Sequence, residues 1–302
     1  MAIKKTDWIC MDGKMVPWAE ATDHTLALTL HYGIGAFEGI RAYLRQDKRT
    51  AIFRLREHID RLLNSCHIIT IDVPHTREAL MAACVQVLKE NRLKEAYLRP
   101  LIYLGYGSMG LASMDNPVRA VVAAFEWGAY LGEDGLKNGI RATTSSFRRG
   151  ALDSMMSKGK ICGQYVTSIL AKREALKRGY QEGIMLDQNG HVAEGSGENI
   201  FIVRRGELWT PPTSSSILAG ITRDTILRMA TDMGIVVHER VFTRDELWIA
   251  DEVFLTGTAA EVTPVREIDD RRIGEGTPGP VTRRVQEAYF DLVRGEGHSR
   301  YP

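Results

Sequence analysis

Turn dipeptides within short apolar runs are the feature that most constrains the fold of this chain. Asp12-Gly13 interrupts the apolar run of residues 8–18, and Asn189-Gly190 interrupts residues 182–194. Asp-Gly and Asn-Gly favour the type I′ turn, whose twist matches that of two paired antiparallel strands. Arg205-Gly206 marks a further turn. The sequence therefore predicts β-hairpins in both halves of the chain.

Helical patterns alternate with these hairpins. Apolar residues at helical spacing predict helices at residues 58–66, 76–91, 164–177, 222–233 and 281–294. A capping box, Thr243 followed by Glu246, opens a further short helix. Extended apolar segments predict strands at residues 39–43, 50–54, 95–103, 118–125, 139–145 and 252–262. The glycine-rich, charged stretch that begins at Trp127 is the best candidate for an interdomain connection.

Composition restricts the classes of function. With 39 basic and 38 acidic residues the formal net charge is +1, which provides no bulk field for nucleic acid or acidic lipid. No apolar run approaches the roughly 20 residues that span a bilayer. The four cysteines lack the spacing of a zinc site, and we expect reduced thiols in a cytoplasmic protein. A length of 302 residues is enough for two domains.

A lysine-containing segment, residues 153–165, lies at mid-chain. Small neighbours such as Gly159 and Cys162 would let Lys160 approach other groups closely in a buried pocket. A desolvated amine can form a Schiff base with a carbonyl. The alternative is that Lys158 and Lys160 are both solvated loop charges, which is the usual state of lysine. The residues alone leave both interpretations open.

Lysine chemistry of this kind needs an anion-binding site and a carboxylate. Gly220-Ile221-Thr222 opens a predicted helix, where free N–H groups favour an anion, and Gly257-Thr258 ends an apolar strand. Glu194 and Glu198 flank a Gly-Ser-Gly turn, so either could face a pyridinium or be solvated. Arg99, inside an apolar strand, needs either a structural carboxylate or an anionic ligand. Each feature is also common in ordinary caps, turns and cores.

Other catalytic motifs do not match. The glycines at positions 33, 35 and 39 do not match a dinucleotide-binding motif, because the third glycine comes one residue too late. This segment is instead predicted as a turn that brings Tyr32 and Phe37 to one surface. Ser196 lacks the GxSxG spacing, and nothing near Cys162 would activate its thiol. The histidines show no HExxH or other metal-ligand spacing, and we expect no metal site.

Five motifs nevertheless resemble those of the fold-type IV pyridoxal-phosphate enzymes, and within them the branched-chain amino-acid aminotransferases. The resemblance covers residues 8–289, and the motifs are Tyr32–Tyr43, Tyr97–Leu101, Glu194–Phe201, Leu218–Arg223 and Gly257–Pro264. It implies an α+β fold of two domains. Residues 1–126 would form a small α/β domain, 127–136 an interdomain loop, and 137–302 a larger pseudo-barrel domain that binds the cofactor.

The resemblance implies pyridoxal 5′-phosphate as the cofactor. Lys160 would be the catalytic Schiff-base lysine, Glu194 the carboxylate at the pyridine nitrogen, and Tyr165 the partner of the phenolic oxygen. The other implied cofactor-binding residues are Arg61, Leu218, Gly220, Ile221, Thr222, Gly257 and Thr258. From the residues alone, Arg61 is interpreted as a surface charge, and the resemblance replaces that interpretation. Lys158 stays interpreted as a solvated charge.

The resemblance also implies two kinds of substrate contact for the transamination of leucine, isoleucine or valine with 2-oxoglutarate. Arg99 would receive the distal carboxylate of glutamate, and the backbone of Thr258, Ala259 and Ala260 would bind the α-carboxylate. The other implied substrate-binding residues, mostly apolar and aromatic, are Tyr32, Phe37, Gly39, Tyr97, Met109, Leu111, Trp127 and Tyr130. Such a reaction would end branched-chain amino-acid biosynthesis or begin degradation.

Partners and alternatives follow from the same resemblance. The stretch around Met109 and Leu111 would be lent by a neighbouring subunit, which implies a homodimer at least, with a homohexamer as the larger alternative. Amino acids and 2-oxo acids are the expected partners, with no nucleic acid and no membrane. A D-amino-acid transaminase, an R-amine transaminase and aminodeoxychorismate lyase are alternatives on the same fold. Cys162 and Gln164 depart from the usual small residue and asparagine, which affects the expected substrate range.

Overall fold

The computed structural model describes residues 3–113 and 115–295. Within these residues the chain forms two β-sheets, and eight α-helices pack around them. None of these helices is long and apolar enough to cross a membrane. The predicted α+β content is therefore confirmed, and all four cysteines are free thiols.

The first sheet is antiparallel and is built from the first half of the chain. Its seven strands are β1 Trp8–Met11, β2 Lys14–Pro17, β3 Gly35–Phe37, β4 Ile40–Leu44, β5 Thr50–Ile52, β6 Ala96–Leu104 and β7 Val118–Phe125. Their spatial order is β2-β1-β7-β6-β4-β5, and β3 also pairs with β6. Three helices accompany it: α1 Leu28–Tyr32, α2 Leu55–Ile68 and α3 Arg77–Glu90. Buried Ile59 and Leu62 of α2 share one core with Val87 of α3 and with Leu98 and Val122 of the sheet.

The second sheet is mixed and contains the rest of the strands. They are β8 Ile140–Thr144, β9 Glu182–Leu186, β10 Val192–Gly195, β11 Asn199–Arg204, β12 Glu207–Thr210, β13 Val237–Glu239, β14 Glu252–Gly257, β15 Glu261–Ile268 and β16 Arg271–Arg272. Their spatial order is β10-β9-β8-β15-β14-β11-β12-β13, and β16 pairs with β15. The helices are α4 Glu133–Asn138, α5 Tyr165–Lys177, α6 Ile221–Asp232, α7 Arg244–Trp248 and α8 Pro280–Arg294.

The predicted hairpins and most predicted helices are confirmed. Asp12 and Gly13 both have positive φ, as a type I′ turn requires, and they join β1 to β2. The capping box at Thr243 and Glu246 is present at the start of α7. In α8, Val285 and Tyr289 are fully buried, as the apolar stripe predicts.

Two predictions of local structure are incomplete. The strand that begins at Glu252 ends at Gly257, as expected, but the chain then turns at residues 258–260 and returns as β15, which the sequence does not predict. The expected turn at Tyr32 is the end of helix α1, and Gly33 stops this helix in the left-handed conformation with φ of 70°. A Cβ on Gly33 would lie 2.8 Å from the Cα of Gly163, so this close approach requires glycine.

The two sheets meet through a shared core. Tyr43 and Phe53, which belong to the first half of the chain, pack with Phe201, Phe254 and Tyr289 of the second half. The chain passes from one sheet to the other between β7 and β8, in the stretch that contains the predicted interdomain loop 127–136. Part of that stretch forms helix α4, and the division into two domains remains our proposal.

Candidate active site

A cavity between the two sheets collects most of the predicted site residues. It is lined by Gly39, Arg61, Tyr97, Arg149, Ser157, Gly159, Lys160, Gln164, Tyr165, Ser168, Glu194, Ser196, Gly197, Glu198, Asn199, Leu218, Gly220, Ile221, Thr222, Thr256, Gly257, Thr258 and Ala259. All ten predicted cofactor-binding residues are in this lining. Three further residues predicted to bind substrate, Gly39, Tyr97 and Ala259, line it as well.

Lys160 points into this cavity from a loop that both halves of the chain support. Its Nζ donates a 2.5 Å hydrogen bond to the hydroxyl of Tyr165 and lies 5.0 Å from the ring centre of Phe37. Its backbone N–H donates to Oγ of Ser65, and its carbonyl accepts from the N–H of Phe37. Ala36 and Ile161 form a β-bridge beside it. The lysine backbone is thus joined to the first sheet.

Lys158 is exposed, but it is not simply a solvated charge. Its Nζ donates to the backbone carbonyls of Ser215 at 3.2 Å and Ile217 at 3.1 Å. The interpretation as a solvated charge is therefore incomplete, because Lys158 anchors the loop that leads to Leu218. Of the two lysines, only Lys160 lines the cavity.

Glu194 is a buried carboxylate in the cavity wall and is fixed on both oxygens. Oε1 forms a 3.0 Å ion pair with Arg149, and Oε2 accepts from Nδ2 of Asn199 at 3.0 Å and the N–H of Leu218 at 3.1 Å. Burial raises the pKa of Glu194, whereas the Arg149 guanidinium acts in the opposite direction. The arrangement favours a carboxylate that keeps one orientation and can face a cationic ring nitrogen.

Glu198 has a different environment, although it lines the same cavity. Burial and the nearby Glu182 carboxylate raise the pKa of Glu198 to about 8. Lys172 pairs with Glu182 at 2.5 Å. Burial and Glu182 thus favour the protonated form of Glu198. Of the two glutamates that flank the Gly-Ser-Gly turn, only Glu194 has an arginine partner within the described chain.

One end of the cavity, formed by α2 and the start of α6, presents groups that can bind an anion. Arg61 of α2 donates from Nε and Nη2 to the buried Glu38 and from Nη1 to the carbonyl of Ala219. Its side chain is only 13% exposed, so the interpretation of Arg61 as a surface charge is wrong. Ile221 and Thr222 open the twelve-residue helix α6, whose first N–H groups have no partner within the helix.

Arg99 and a group of aromatic rings lie beside the cavity, and of these side chains only Tyr97 is part of the lining. The guanidinium of Arg99 lies 4.7 Å from the ring centre of Phe37 and 5.4 Å from that of Tyr97. Its buried Nε has no hydrogen-bond partner, and among the described residues it forms no ion pair with a carboxylate. Trp127 packs edge-on against both Tyr97 and Tyr130. The structural-carboxylate alternative for Arg99 is thus unsupported within the described chain.

Eight predicted substrate residues do not line the cavity, and they are Tyr32, Phe37, Arg99, Met109, Leu111, Trp127, Tyr130 and Ala260. Tyr32, Met109 and Leu111 are 49%, 47% and 91% exposed, and none of them lines the cavity. Ala260 is buried at the end of the turn formed by residues 258–260, and its carbonyl accepts a hydrogen bond from Oγ1 of Thr263. A single chain therefore supplies the cofactor side of the predicted site more completely than its substrate side.

Gly39 gives a direct test of the packing in the cavity wall. A Cβ at this position would lie 1.7 Å from the hydroxyl oxygen of Tyr97. We expect Gly39→Ala to displace Tyr97 and to lower the free energy of unfolding by about 1–3 kcal/mol. It should also raise KM for the amino-acid substrate that the resemblance implies. Denaturant titration and steady-state kinetics measure both effects. Gly128→Ala is the control, because nothing lies within 4 Å of its Cβ; equal effects of the two variants would contradict the prediction.

Comparison with known proteins agrees with this geometry. Residues 35–268 match the family model described as amino-transferase class IV. The chain belongs to the class IV aminotransferases. A branched-chain-amino-acid aminotransferase of Pseudomonas aeruginosa is 49% identical over 295 residues, which cover 97% of this chain and 95% of that protein.

Solved structures of branched-chain aminotransferases are also similar to this chain. The crystal structure of the Escherichia coli branched-chain amino acid aminotransferase has a TM-score of 0.95 at 47% identity and covers 97% of this chain and 96% of its own. A branched-chain amino acid aminotransferase from Thermoproteus uzoniensis, solved with norvaline, has a TM-score of 0.93 at 42% identity, and the match covers 98% of each chain. Another branched-chain aminotransferase was solved with pyridoxamine 5′-phosphate, at a TM-score of 0.94 and 46% identity over 98% of each chain. The predicted fold type and the resemblance to branched-chain aminotransferases are confirmed.

Residues that hold the wall of this cavity together are absent from the sequence-based prediction. Arg149, Glu38, His58 and Asn199 make the ion pairs and hydrogen bonds that orient Glu194 and Arg61. Glu38 lies inside the motif Tyr32–Tyr43, next to Gly39, and an acid in such a run of apolar and small residues is a signal of burial. Arg149 follows Arg148 and precedes a glycine, so nothing in its neighbourhood distinguishes it from a solvated charge.

Proposed function

We propose that this chain is a pyridoxal-phosphate-dependent transaminase of branched-chain L-amino acids with 2-oxoglutarate as the amino acceptor. Its relatives and structural neighbours carry the name branched-chain aminotransferase at 46–49% identity over nearly their full length. The observation that carries the proposal is the juxtaposition of Lys160, Tyr165 and Glu194 in one cavity, with Arg99, whose Nε has no hydrogen-bond partner, beside it.

The donors in the cavity fit the cofactor group by group. Pyridoxal phosphate offers an aldehyde, a phenolic oxygen, a pyridine nitrogen and a phosphate. The cavity presents an amine on Lys160, a phenol on Tyr165, a carboxylate on Glu194, and an arginine beside the start of helix α6. We therefore assign Lys160 to the aldehyde, Tyr165 to the phenolic oxygen and Glu194 to the pyridine nitrogen. Arg61, Ile221, Thr222 and Thr258 would hold the phosphate, and Leu218, Gly220 and Gly257 complete the wall.

Within this assignment the side chains have separate tasks. When bound, the cofactor supplies an electron sink for the carbon that loses its proton. Nζ of Lys160 takes the proton from the substrate α-carbon and later returns a proton as general acid. Glu194, fixed by Arg149, keeps a negative charge at the ring nitrogen. Tyr165 orients Nζ of Lys160 through their hydrogen bond.

Arg99 provides the selective test of the glutamate half-reaction. Charge-assisted hydrogen bonds to a carboxylate contribute roughly 1.5–3 kcal/mol, so we expect Arg99→Met to raise KM for 2-oxoglutarate about 10- to 100-fold. The half-reaction with leucine should change much less, because its side chain has no carboxylate. Single-turnover kinetics with each substrate separate the two. Arg119→Met is the control, since Arg119 pairs with Asp12, whereas Arg99 has no carboxylate partner among the described residues.

An assay of amino donors tests the proposed reaction itself. L-leucine, L-isoleucine and L-valine, each with 2-oxoglutarate, should yield L-glutamate, and the D-isomers and R-amines should not. Release of pyruvate from aminodeoxychorismate without 2-oxoglutarate would instead indicate the lyase. Formation of glutamate from D-amino acids would indicate the D-amino-acid alternative.

We also propose a homodimer in which the neighbouring subunit completes the substrate side. Tyr32, Met109 and Leu111 are apolar or aromatic side chains that remain exposed in one chain. Burying them against the cavity of a second copy would cover apolar surface and supply the missing wall. Sedimentation equilibrium tests this assembly and also distinguishes a dimer from a hexamer. A cytoplasmic location stays a prediction.

A further inference from the structure

Arg61 is held by a carboxylate that the proposed chemistry does not use. Glu38 has no exposed surface, and its two oxygens accept from Nε of Arg61 at 2.6 Å and from Nη2 at 2.9 Å. Oε2 also lies 2.7 Å from Nδ1 of His58 and 3.2 Å from the N–H of Gly39. Two of the three guanidinium nitrogens are thereby engaged by one buried anion.

The charges of this cluster nearly cancel. Burial acts to raise the pKa of Glu38, but Arg61 and then His58 outweigh it and hold this pKa well below its usual range. Burial lowers the pKa of His58, although Glu38 acts in the opposite direction. At neutral pH, Glu38 is therefore ionised and His58 is neutral, with the hydrogen of His58 on the nitrogen that faces the carboxylate. Arg61 and Glu38 together bring no net charge to the anion-binding end of the cavity.

We propose that Glu38 is a positioning residue that holds the Arg61 guanidinium in the orientation that binds the cofactor phosphate. This inference rests on the proposed function, in which Arg61 contacts that phosphate. Glu38 fixes two nitrogens and the carbonyl of Ala219 fixes the third, so the remaining N–H bonds have defined directions. A preorganised donor loses less side-chain freedom when its ligand binds.

Charge and positioning predict opposite effects for Glu38→Gln. If net charge determined phosphate affinity, removing the buried Glu38 carboxylate would tighten binding, because this negative charge repels the negatively charged phosphate. If the orientation of Arg61 determines affinity, the amide weakens binding, since it offers one acceptor oxygen in place of two and no charge to hold the guanidinium. The sign of the change therefore separates the two explanations.

The experiment compares pyridoxal 5′-phosphate with pyridoxal, which lacks the phosphate. Dissociation constants are measured by absorbance titration of the cofactor-free wild type and Glu38→Gln. We expect pyridoxal 5′-phosphate to bind about tenfold more weakly to the variant or worse, and pyridoxal to bind within about twofold of the wild type. Unchanged or tighter binding of the phosphorylated ligand would overturn the proposal. Equal losses for both ligands would also overturn it, because they would indicate general damage to the cavity.

Two further variants complete the test. Glu38→Asp keeps the charge but has a shorter side chain, so it should also weaken the binding of pyridoxal 5′-phosphate selectively. Wild-type affinity in this variant would contradict the positioning role. It provides the test if Glu38→Gln does not fold. Glu252→Gln removes another buried carboxylate, one that accepts from the first N–H groups of α8, and should leave both affinities unchanged. A wild type that binds neither ligand would refute the proposed function itself, whereas selective binding by the wild type with an unaffected Glu38→Gln would refute only this inference.

Discussion

Lys160→Ala should abolish transamination and covalent attachment of the cofactor. The variant loses both the amine that bonds to the aldehyde and the group that moves the α-proton. A positioned general acid–base alone contributes about 10²- to 10⁴-fold, so we expect turnover to fall by at least about 10³-fold. The covalent test is reduction with borohydride in the presence of pyridoxal 5′-phosphate, followed by mass analysis of the peptide that contains residue 160.

Lys158→Ala is the matched control for this experiment. Lys158 lies two residues away and is also hydrogen-bonded, but its amine contacts the backbone carbonyls of Ser215 and Ile217 rather than the cavity. We expect it to retain covalent attachment and most of its turnover, with a modest loss of stability. Attachment that persists in Lys160→Ala and disappears in Lys158→Ala would reverse the assignment of the two lysines.

Glu194→Gln should have the second largest effect, on both turnover and stability. The amide cannot hold a positive charge at the ring nitrogen, so we expect the single-turnover rate with L-leucine to fall about 10²-fold or more. The change also leaves the buried Arg149 without its anion, which typically costs about 3–5 kcal/mol. Stopped-flow absorbance and denaturant titration measure the two losses separately.

Glu198→Gln is the matched control for Glu194→Gln. Both carboxyl groups are buried in the same wall, but the pKa of Glu198 is raised to about 8 by burial and by Glu182, so glutamine resembles its protonated form. At pH 7 we expect this variant to keep most of its turnover. If it lost as much as Glu194→Gln, the ion pair with Arg149 would not be what distinguishes the two positions.

Local signals make most of the secondary structure predictable from sequence. Asp12-Gly13 specifies its turn by its own backbone preferences, and Thr243 with Glu246 caps a helix within four residues. Strand β15 escapes prediction because Pro264 and the charged residues around it weaken the apolar alternation. Pro264 is tolerated there within a strand that pairs with β14 on one side and β8 on the other.

The site is predictable only where a motif supplies the residue. Helical periodicity predicts that Arg61 is a surface charge, because its position in the helix does not show that Glu38, 23 residues away, accepts its hydrogen bond. The Arg149–Glu194 pair likewise joins positions from two separate segments of the chain. Pairings of this kind depend on tertiary packing, which local propensity does not contain. The sequence can therefore indicate that Glu38 is buried, but it identifies neither the partner of Glu38 nor that of Arg149.

The attachment of the Lys160 backbone to the first sheet has a consequence for folding. Lys160 donates to Ser65, 95 residues earlier in the chain, and Gly163 donates to the carbonyl of Gly33. Closing loops of this length costs entropy that is recovered only when both ends have found their structured partners. During synthesis the first sheet emerges before the lysine, so it can serve as the template on which the lysine loop orders. Capture of the cofactor should therefore be a late event that reports on the completed chain, and the isolated second half should form strands without acquiring a competent lysine.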